Sequence, residues 1–457
     1  MSETKRKQNH RWTRVRIGDS LDLINGRAFK PTEWAKEGTP IVRIQNLNNA
    51  DAPFNYYNGD LPEKFRLDDG DLLFAWSGTP GTSFGAHVWR GGKAWLNQHI
   101  FKVQFNETQF DTRFLQLAIN QNLNDYIRAA HGGAGLAHIT KGRFEESELP
   151  VPPIAEQKYI VAEIEKQFTR LDAGVAALRR VQANLKRYRA AVLKAACEGR
   201  LVPTEAELHK AEKRKTKFET GAELLTRVLA ERRKNANQVK YKEPVCPDTS
   251  ALPALPAGWT YASVEQLGFV QLGRQRAPQH HRGEFMRPYL RVANVFEDRL
   301  DLSDVMEMNF TPSEFETFQL KPNDILLNEG QSLELVGRPA LYRGELPGAC
   351  FTNTLVRFRP CGDLNVKFAL GVFRAFMHSG RFQKIAKWTT NIAHLGADRF
   401  AKLAFPLPPL AEQARIVAEV ERRLSVIEGL ETAISANLRR AGRLRQAVLQ
   451  RAFEGGK

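Results

Sequence analysis

The sequence predicts an α+β protein in which two similar mixed α/β domains are separated by two long helices. Three observations support this fold class: a repeated segment, an apolar stripe with helical spacing after each copy, and short β-branched runs with turn signals before each copy. The repeat is "LPVPPIAEQKYIVAEIEKQF" at Leu149–Phe168, which returns as "FPLPPLAEQARIVAEVERRL" at Phe405–Leu424. We therefore expect two halves built on one plan.

The repeat extends beyond this segment. Eleven of eighteen positions are identical when Pro150–Gln167 is aligned with Pro406–Arg423, a shift of 406 − 150 = 256. The same shift pairs "AVLKAACEG" at 191–199 with "AVLQRAFEG" at 447–455, and weaker echoes lie upstream, such as "RWTRVRIGD" with "GWTYASVEQ". These matches indicate an internal duplication.

A long helix is predicted after each proline pair. Apolar residues recur with a 3–4 spacing at Ile164, Phe168, Leu171, Val175, Leu178, Leu185 and Val192, and again at Val420, Leu424, Ile427, Ile434, Leu438 and Val448. Such a narrow stripe is typical of a coiled-coil seam, so we expect the two helices to pack on each other. Prolines cannot extend a helix backwards and glycine favours its end, which predicts a first helix over 155–198.

The parts before the helices, about 10–150 and 258–405, predict α+β or mixed α/β domains. Strand-like runs include "HIFKVQF" and "TLVRFRP", and one helix is predicted late in each domain, at "DTRFLQLAINQNLNDYIRAA" and "NVKFALGVFRAFMHSGRFQKIA". Between the halves lies a charged stretch that predicts a linker with one helix around 222–233.

The composition favours an extended polyanion as partner. The 457 residues include 67 Lys and Arg against 51 Asp and Glu, a net charge of +16. A soluble protein that is basic without such a partner is the alternative. With 42% apolar residues the chain suits two or three globular domains rather than a disordered chain.

Several chemistries find no support in the motifs. The four cysteines lack zinc-site spacing, and the chain has neither a phosphate-binding GxxxxGK[ST] loop nor HExxH. No apolar run is long enough to span a membrane and the first residues lack a signal peptide, so we expect a cytoplasmic protein. Two rival hypotheses remain: a methyltransferase or nuclease with an unrecognised site, and a coiled-coil scaffold that binds RNA or membranes nonspecifically.

The paired "LPVPPIAEQKYIVAEI" and "FPLPPLAEQARIVAEV" segments, with "AELLTRVLAERR" and "LPAGW" between them, closely resemble the specificity subunits of type I restriction–modification enzymes. The resemblance covers nearly the whole chain. It implies a target-recognition domain over 1–153, a spacer helix over 154–202, a linker over 203–257, a second target-recognition domain over 258–409 and a second spacer helix over 410–457. The spacer helices would form an antiparallel coiled coil with pseudo-two-fold symmetry.

The resemblance also implies the partners. Each domain would read one half of a split site on double-stranded DNA, the helices would bind two methylation subunits, and motor-nuclease restriction subunits would join them. No membrane partner is implied. This chain would be non-catalytic and hold no cofactor, with S-adenosylmethionine on the methylation subunits and ATP and magnesium on the motor subunits. Two equivalent domains related by a two-fold axis match the near two-fold symmetry of the DNA backbone.

Polar loops supply the DNA-binding candidates, because phosphates and base edges are contacted mainly by Arg, Lys, Asn, Gln, Ser and Thr. The first domain offers Arg27, Lys30, Ser77, Thr79, Thr82 and Lys141. The second domain offers Arg274, Gln275, Arg276, Arg282, Gln331, Ser332, Lys387, Thr389, Thr390 and Asn391.

Docking candidates come from the faces of the repeated helices that we expect to point outward. They are Glu156, Gln157 and Glu163 in the first copy and Glu412, Gln413 and Glu419 in the second. A solvated helix face is the alternative interpretation of these charged positions.

Overall fold

The computed structural model describes residues 12–49, 51–79, 82–123, 126–127, 137–213, 217–235, 242–389 and 391–453. The chain divides into two compact units. The first is formed by residues 1–179 with 435–457 and the second by residues 180–434. Each long helix therefore contributes one part to each unit.

Two of the α-helices are very long and the others are short. They are α1 (Ile17–Ser20), α2 (Ile44–Asn48), α3 (Thr112–Gln121), α4 (Lys141–Glu145), α5 (Ile154–Cys197), α6 (Glu205–Ala211), α7 (Gly221–Asn235), α8 (Val264–Leu267), α9 (Pro312–Phe318), α10 (Val366–His378), α11 (Arg381–Ile385), α12 (Ala397–Ala401) and α13 (Leu410–Phe453).

The strands are short. Those of the first unit are β1 (Thr13–Arg16), β2 (Leu21–Asn25), β3 (Thr39–Val42), β4 (Asn55–Tyr57), β5 (Arg66–Leu67), β6 (Leu72–Ala75), β7 (Ser77–Gly78), β8 (Gly85–Val88), β9 (Ala94–Leu96), β10 (Ile100–Phe105), β11 (Ala137–His138) and β12 (Glu148–Val151). Those of the second unit are β13 (Thr260–Ser263), β14 (Gly268–Leu272), β15 (Met286–Leu290), β16 (Val295–Phe296), β17 (Arg299–Leu300), β18 (Met306–Asn309), β19 (Ile325–Asn328), β20 (Gly330–Gln331), β21 (Pro339–Leu341), β22 (Cys350–Phe351), β23 (Leu355–Pro360), β24 (Lys387–Trp388), β25 (Ala393–His394) and β26 (Ala404–Leu407).

The two units share one strand order. The four-stranded sheet β2-β10-β6-β8 of the first unit corresponds to β14-β23-β19-β21 of the second. The antiparallel pair β1·β12 corresponds to β13·β26, and the parallel pair β3·β9 corresponds to β15·β22. The duplication therefore extends through both globular domains, which confirms the predicted α+β fold with two similar mixed domains.

Helix α3 carries the core of the first domain. Its N-cap residue Asp111 accepts a 2.9 Å hydrogen bond from the backbone of Phe114, which satisfies an N–H group that the helix itself leaves free. Phe114 is fully buried, and Phe74 stacks on Phe144 with ring centroids 3.9 Å apart. This core extends to Ile164 and Phe168 of α5, so the long helix is part of the domain.

The second domain differs from its prediction at the late helix. The sequence predicts one helix over 365–386, whereas the structure has α10 and α11 separated near Gly380. Gly380 adopts a φ of 73°, a left-handed conformation that glycine tolerates better than other residues and that ends helices.

Helices α5 and α13 have 44 residues each, and α5 begins and ends one residue before the predicted 155–198. The predicted seam positions are all buried or half-buried. In the first unit the start of α5 packs on the end of α13, where Arg445 lies 2.7 Å from Asp172 and 4.1 Å from the Phe168 ring centroid. In the second unit Arg189 near the end of α5 contacts Glu431 of α13 at 2.8 Å. The helices are therefore antiparallel in both units.

The segment 203–257, for which the sequence predicts a linker, folds against the second domain. Leu224 and Val228 of α7 are buried in the same core as Trp259. Arg232 donates a 2.8 Å hydrogen bond to the carbonyl of Gly268 at the start of β14. The predicted helix over 222–233 is α7, and α6 is a further helix that was not predicted.

Candidate nucleic-acid interface and docking helices

The first domain gathers its predicted DNA-binding loops at one end of the sheet β2-β10-β6-β8. Strand β7 pairs with β11 through Ser77↔His138, which brings the Ser77–Thr82 loop beside the chain leading to Lys141. The Trp76 indole donates a 3.2 Å hydrogen bond to Oδ1 of Asn25, the last residue of β2. The ends of β2 and β6 therefore meet.

The second domain repeats this arrangement. Strand β25 pairs with β20 through Gln331↔Ala393 and with β24 through Lys387↔His394. This three-stranded sheet joins the predicted loop around Gln331 and Ser332 with the loop from Lys387 to Asn391. Two stretches that are about 55 residues apart in sequence thus form one surface.

Arg274 is wrongly placed by the sequence prediction. Its side chain is only 8% exposed, and Nη2 lies 2.8 Å from Glu314 and 3.1 Å from Nδ1 of His280. Nη1 donates to the carbonyl oxygen of Asn309, and the guanidinium lies 5.0 Å from the ring of Phe310. Arg274 therefore holds the fold of the second domain and does not belong to an exposed binding loop.

Arg27 occupies the corresponding position in the first domain. The backbone of Arg27 forms an isolated parallel β-bridge with Asn97, and the backbone of Arg274 forms one with Thr352. The two arginines follow the equivalent strands β2 and β14. The Arg27 guanidinium lies 4.7 Å from the Phe29 ring centroid and pairs with Glu33. A hydrogen bond from the backbone N–H of Lys30, followed by one from Arg27, lowers the pKa of Glu33. Arg27 is thus half-buried and engaged within its own domain.

Lys141 is exposed but also engaged. Its Nζ donates a 3.0 Å hydrogen bond to the carbonyl of Leu23 and lies 3.5 Å from Glu145.

The other predicted DNA contacts lie on accessible loops. The exposed residues are Lys30, Thr79, Thr82, Gln275, Arg276, Arg282, Lys387, Thr389 and Asn391. Ser77, Gln331 and Ser332 are half-buried, and Thr390 lies outside the described residues. These residues stay predictions.

Sequence reasoning missed Trp388. This tryptophan ends β24 beside Lys387, and 58% of it is exposed. Ile392, on the other arm of the same hairpin, is also exposed. The available signal was a large aromatic residue within the quoted loop "KWTTNIAH", which a search for polar side chains passes over.

The repeated proline segments form corners that lock each domain to its helix. The Nε2 of Gln157 donates a 2.9 Å hydrogen bond to the carbonyl of Pro152, and its Oε1 accepts a 2.9 Å hydrogen bond from the backbone N–H of Asp111. Gln413 makes the same two contacts, with Pro408 at 3.0 Å and Asn365 at 3.0 Å. Asp111 and Asn365 are the N-caps of α3 and α10, so each glutamine ties a domain helix to a proline corner.

The glutamates of the corners act in the same way. The Trp12 indole donates a 3.2 Å hydrogen bond to Glu156, and the Trp259 indole donates a 2.9 Å hydrogen bond to Glu412. Gln157, Glu412 and Gln413 are fully buried, so the expectation that they face outward is wrong. Their polarity serves hydrogen bonds to backbone and indole groups inside each unit.

Glu156, Glu163 and Glu419 are half-buried rather than fully exposed. Glu163 lies 3.2 Å from Lys166. Hydrogen bonds from Arg422 and then Arg423 lower the pKa of Glu419 to about 2. Glu163 and Glu419 remain candidates for contacts with another subunit.

Within the described parts of the chain, no group of three His, Cys, Asp or Glu residues is placed to hold a metal ion. None of the helices that the structure describes combines the length and the apolar character needed to cross a membrane.

The sequence of this chain is similar to those of known proteins. Residues 9–177 match the family described as the type I restriction modification DNA specificity domain. The chain is 25% identical to the type I restriction enzyme EcoBI specificity subunit of Escherichia coli over 97% of its own length and 86% of the relative. It is 23% identical to the EcoKI specificity subunit of Escherichia coli K12 over 97% of its length and 89% of that relative.

Solved structures show the same fold. The HsdS subunit from Thermoanaerobacter tengcongensis superposes with a TM-score of 0.51 at 19% identity and with full coverage of both chains. A chain from a structure that describes complex assembly of a type I restriction–modification system gives a TM-score of 0.64 at 19% identity, covering 98% of this chain and 99% of that one. The family match over residues 9–177 and the near full-length relatives make this chain similar to the specificity subunits of type I restriction enzymes, and the solved structures show that it shares their fold.

Proposed function

We propose that this chain is the non-catalytic DNA-recognition subunit of a type I restriction–modification complex. Each domain reads one half of a bipartite target on double-stranded DNA. The paired helices dock two methylation subunits, which carry S-adenosylmethionine, and motor-nuclease subunits supply ATP- and magnesium-dependent steps. The chain itself contributes recognition and assembly.

The observation that carries the proposal is one loop framework with different chemistry in the two domains. His138 of β11 packs against the Trp76 ring with centroids 4.7 Å apart. At the equivalent strand positions of the second domain, Nδ1 of His394 lies 2.9 Å from Glu329. An aromatic cluster in one domain and a carboxylate–imidazole pair in the other thus occupy equivalent places, so the two domains differ in the groups available for contact with DNA. Two different half-sites are the expected result, so the target need not be a palindrome.

Charge supports a nucleic-acid partner. Exposed basic side chains on the predicted DNA-contact loops contribute to the net charge of +16, including Lys30 in the first domain and Arg276, Arg282 and Lys387 in the second. Lysine and arginine that neutralise phosphates release counterions, so affinity should fall steeply with salt. Base selection then comes from the polar and aromatic groups on the same loops.

Docking of methylation subunits is supported by the helix pair. Apolar side chains such as Tyr159 of α5 and Val426 of α13 are exposed although the seam between the helices is already filled. Exposed apolar groups rimmed by charged ones are typical of protein interfaces. Because both helices derive from one duplicated segment, each can offer a related surface to an identical partner. The two surfaces differ in detail, since the counterparts of Tyr159 and Val426 are Arg415 and Arg170.

The deciding experiment is to express the chain with its methylation and restriction subunits in a host free of DNA methylation and to map modified adenines across the genome. We expect modification in a motif of two short specific parts separated by unspecified bases. The methylation subunits expressed without this chain are the control and should leave that motif unmodified. A single contiguous motif would contradict reading by two domains.

A further inference from the structure

The second unit contains an open cavity where α10 meets the end of α5 and the start of α13. Its volume is about 260 Å³. The buried part of the lining, which we call the floor, includes Phe368, Leu424 and the ion-paired Arg374 beside the half-buried Cys197. Exposed charged side chains, among them Lys367 and Glu428, lie around the mouth. We call this cavity the α10 socket.

The duplicated half shows what fills the corresponding space. With the shift of 256, Cys197 corresponds to Phe453, since 197 + 256 = 453. Phe453 is buried in the first unit, with its ring 5.4 Å from Phe114 and 6.4 Å from Trp12. An aromatic ring therefore occupies the site where the second unit has only a thiol.

The equivalence of the surrounding residues is independent of that shift. Phe114 and Phe368 each stand three residues after the N-caps Asp111 and Asn365 of α3 and α10. The preceding residue forms the same ion pair in both units, Arg113 with Glu165 at 3.1 Å and Lys367 with Glu421 at 2.7 Å.

A second difference between the units, a glycine in place of a leucine, makes the α10 socket wider. Leu117 of α3 is buried, and its counterpart three residues after Phe368 is Gly371. A Cβ atom added at Gly371 would meet no heavy atom within 4 Å. Burial raises the pKa of Cys197 to about 12, so the thiol stays protonated and behaves as a small apolar group. Two side chains that close the first unit are thus reduced to a thiol and a hydrogen in the second.

We propose that the α10 socket receives an aromatic side chain from a methylation subunit, an inference that rests on the proposed function. Phe453 is the precedent for the ring, and a cavity of about 150 Å³ already suffices to bind benzene in a protein interior. Glu428 at the mouth has no cationic partner among the described residues, so the inserted ring is expected next to a lysine or arginine. Aromatic anchors in pockets commonly dominate protein–protein affinity.

The proposal makes the two docking surfaces unequal. In the first unit Phe453 and Leu117 already occupy the space, so the same aromatic anchor of a second methylation subunit has no socket there. One of the two methylation subunits is therefore held by an anchor that the other lacks.

The test fills the socket with the side chains of the other half. Full-length Cys197→Phe and Gly371→Leu variants are titrated with purified methylation subunit, and both binding steps are measured by sedimentation velocity. We expect one step to weaken about tenfold or more while the other stays at its wild-type value. Gly142→Leu is the matched control, because Gly142 is an exposed glycine of α4, outside the docking helices, with open space around it.

A variant that changes only a surface charge separates loss of binding from misfolding of the socket variants. Glu428→Lys alters an exposed side chain without touching the socket floor, and we expect it to weaken the same binding step. Wild-type affinities in all three variants would overturn the socket, and the proposed function would stand if the split site is still methylated. Failure of the wild-type chain to bind methylation subunits at all would overturn the proposed function instead. Binding of free benzylamine by wild type but not by Gly371→Leu, with unchanged subunit affinities, would assign the socket to a small ligand and also overturn the proposal.

Discussion

The indole Nε1 of Trp259 donates a 2.9 Å hydrogen bond to Oε1 of the buried carboxylate of Glu412. The other carboxylate oxygen accepts a 3.0 Å hydrogen bond from the backbone N–H of Glu205. One side chain at the start of α13 thus joins the entry of the second domain to the first turn of α6. The two halves share this arrangement, because the Trp12 indole donates the corresponding hydrogen bond to Glu156 in the first unit, at 3.2 Å.

Replacing Trp259 by phenylalanine should destabilise the second unit. The change keeps an aromatic ring but leaves a buried carboxylate oxygen without its donor, which costs about 1–3 kcal/mol. Urea unfolding followed by circular dichroism, with hydrogen exchange to locate the effect, measures the loss.

Trp12→Phe is the matched control for this prediction. Glu156 is half-exposed and can be hydrated when the indole is lost, so we expect a smaller cost than for Trp259→Phe. Equal losses in the two variants would contradict the argument that burial of the carboxylate sets the cost.

Glu412 should also give the protein a distinctive dependence on pH. Burial raises the pKa of Glu412, although hydrogen bonds from Glu205 and Trp259 and the charge of Arg415 act in the opposite direction. A raised folded-state pKa means that the folded protein binds the proton more tightly than the unfolded chain. The contribution of Glu412 to stability is therefore full below its unfolded pKa, near 4.5, and is lost as the pH rises through the higher folded pKa.

The measurement compares the unfolding free energy of wild type and Glu412→Gln between pH 4.5 and 7. We expect the stability of wild type relative to the variant to rise on acidification, with a slope of at most about 1.4 kcal/mol per pH unit. The difference isolates Glu412, because Glu419 and Glu297, whose pKa values are about 2, keep their charge in this range. Parallel pH profiles for the two proteins would reject this role of Glu412.

The sequence predicted the duplicated plan and the long helices well, because these depend on local spacing. A proline pair stops a helix wherever it occurs, and an apolar stripe of 3–4 spacing defines one face, so the bounds of α5 shift by only one residue from those predicted. The predicted seam residues, such as Phe168 and Ile427, are buried for the same reason.

The corner residues were misjudged because their surroundings come from distant parts of the chain. Gln157 is polar and lies on a helix, which favours exposure, but the N-cap of α3 lies 46 residues earlier and covers it. The signal that was present is the identity of these positions in both copies, since two domains of different content kept the same Glu-Gln pair. Arg274 was misjudged likewise, because its partner Glu314 follows 40 residues later.

Alanine substitution should lower the stability of the protein at Arg274 but leave it nearly unchanged at Arg276. Arg274→Ala leaves Glu314 without its partner and Asn309 without a donor, and should cost on the order of 2–4 kcal/mol, less than for a fully buried pair because Glu314 keeps part of its exposure. Arg276 is exposed, so Arg276→Ala should change stability by less than about 0.5 kcal/mol.

The DNA measurements separate the two arginines further. If Arg276 contacts a phosphate, Arg276→Ala should reduce the slope of log affinity against log salt by about 0.9. Thermal unfolding and DNA titrations at several salt concentrations supply both readouts. An Arg274→Ala protein as stable as wild type but unable to bind DNA would return Arg274 to the recognition surface.

Trp388 should contribute to DNA affinity through its ring. It is exposed at the end of a hairpin that also carries the predicted contacts Lys387 and Asn391, and stacking of an aromatic ring on a base is worth about 1–3 kcal/mol. We expect Trp388→Ala to weaken binding to the split site by that amount, and Trp388→Phe to retain most of the affinity. Val245→Ala removes a comparably exposed apolar side chain from the segment 203–257 and should leave affinity unchanged. Fluorescence anisotropy with the assembled methylation subunits and excess random DNA makes the comparison, and equal affinities for wild type and Trp388→Ala would exclude the ring from recognition.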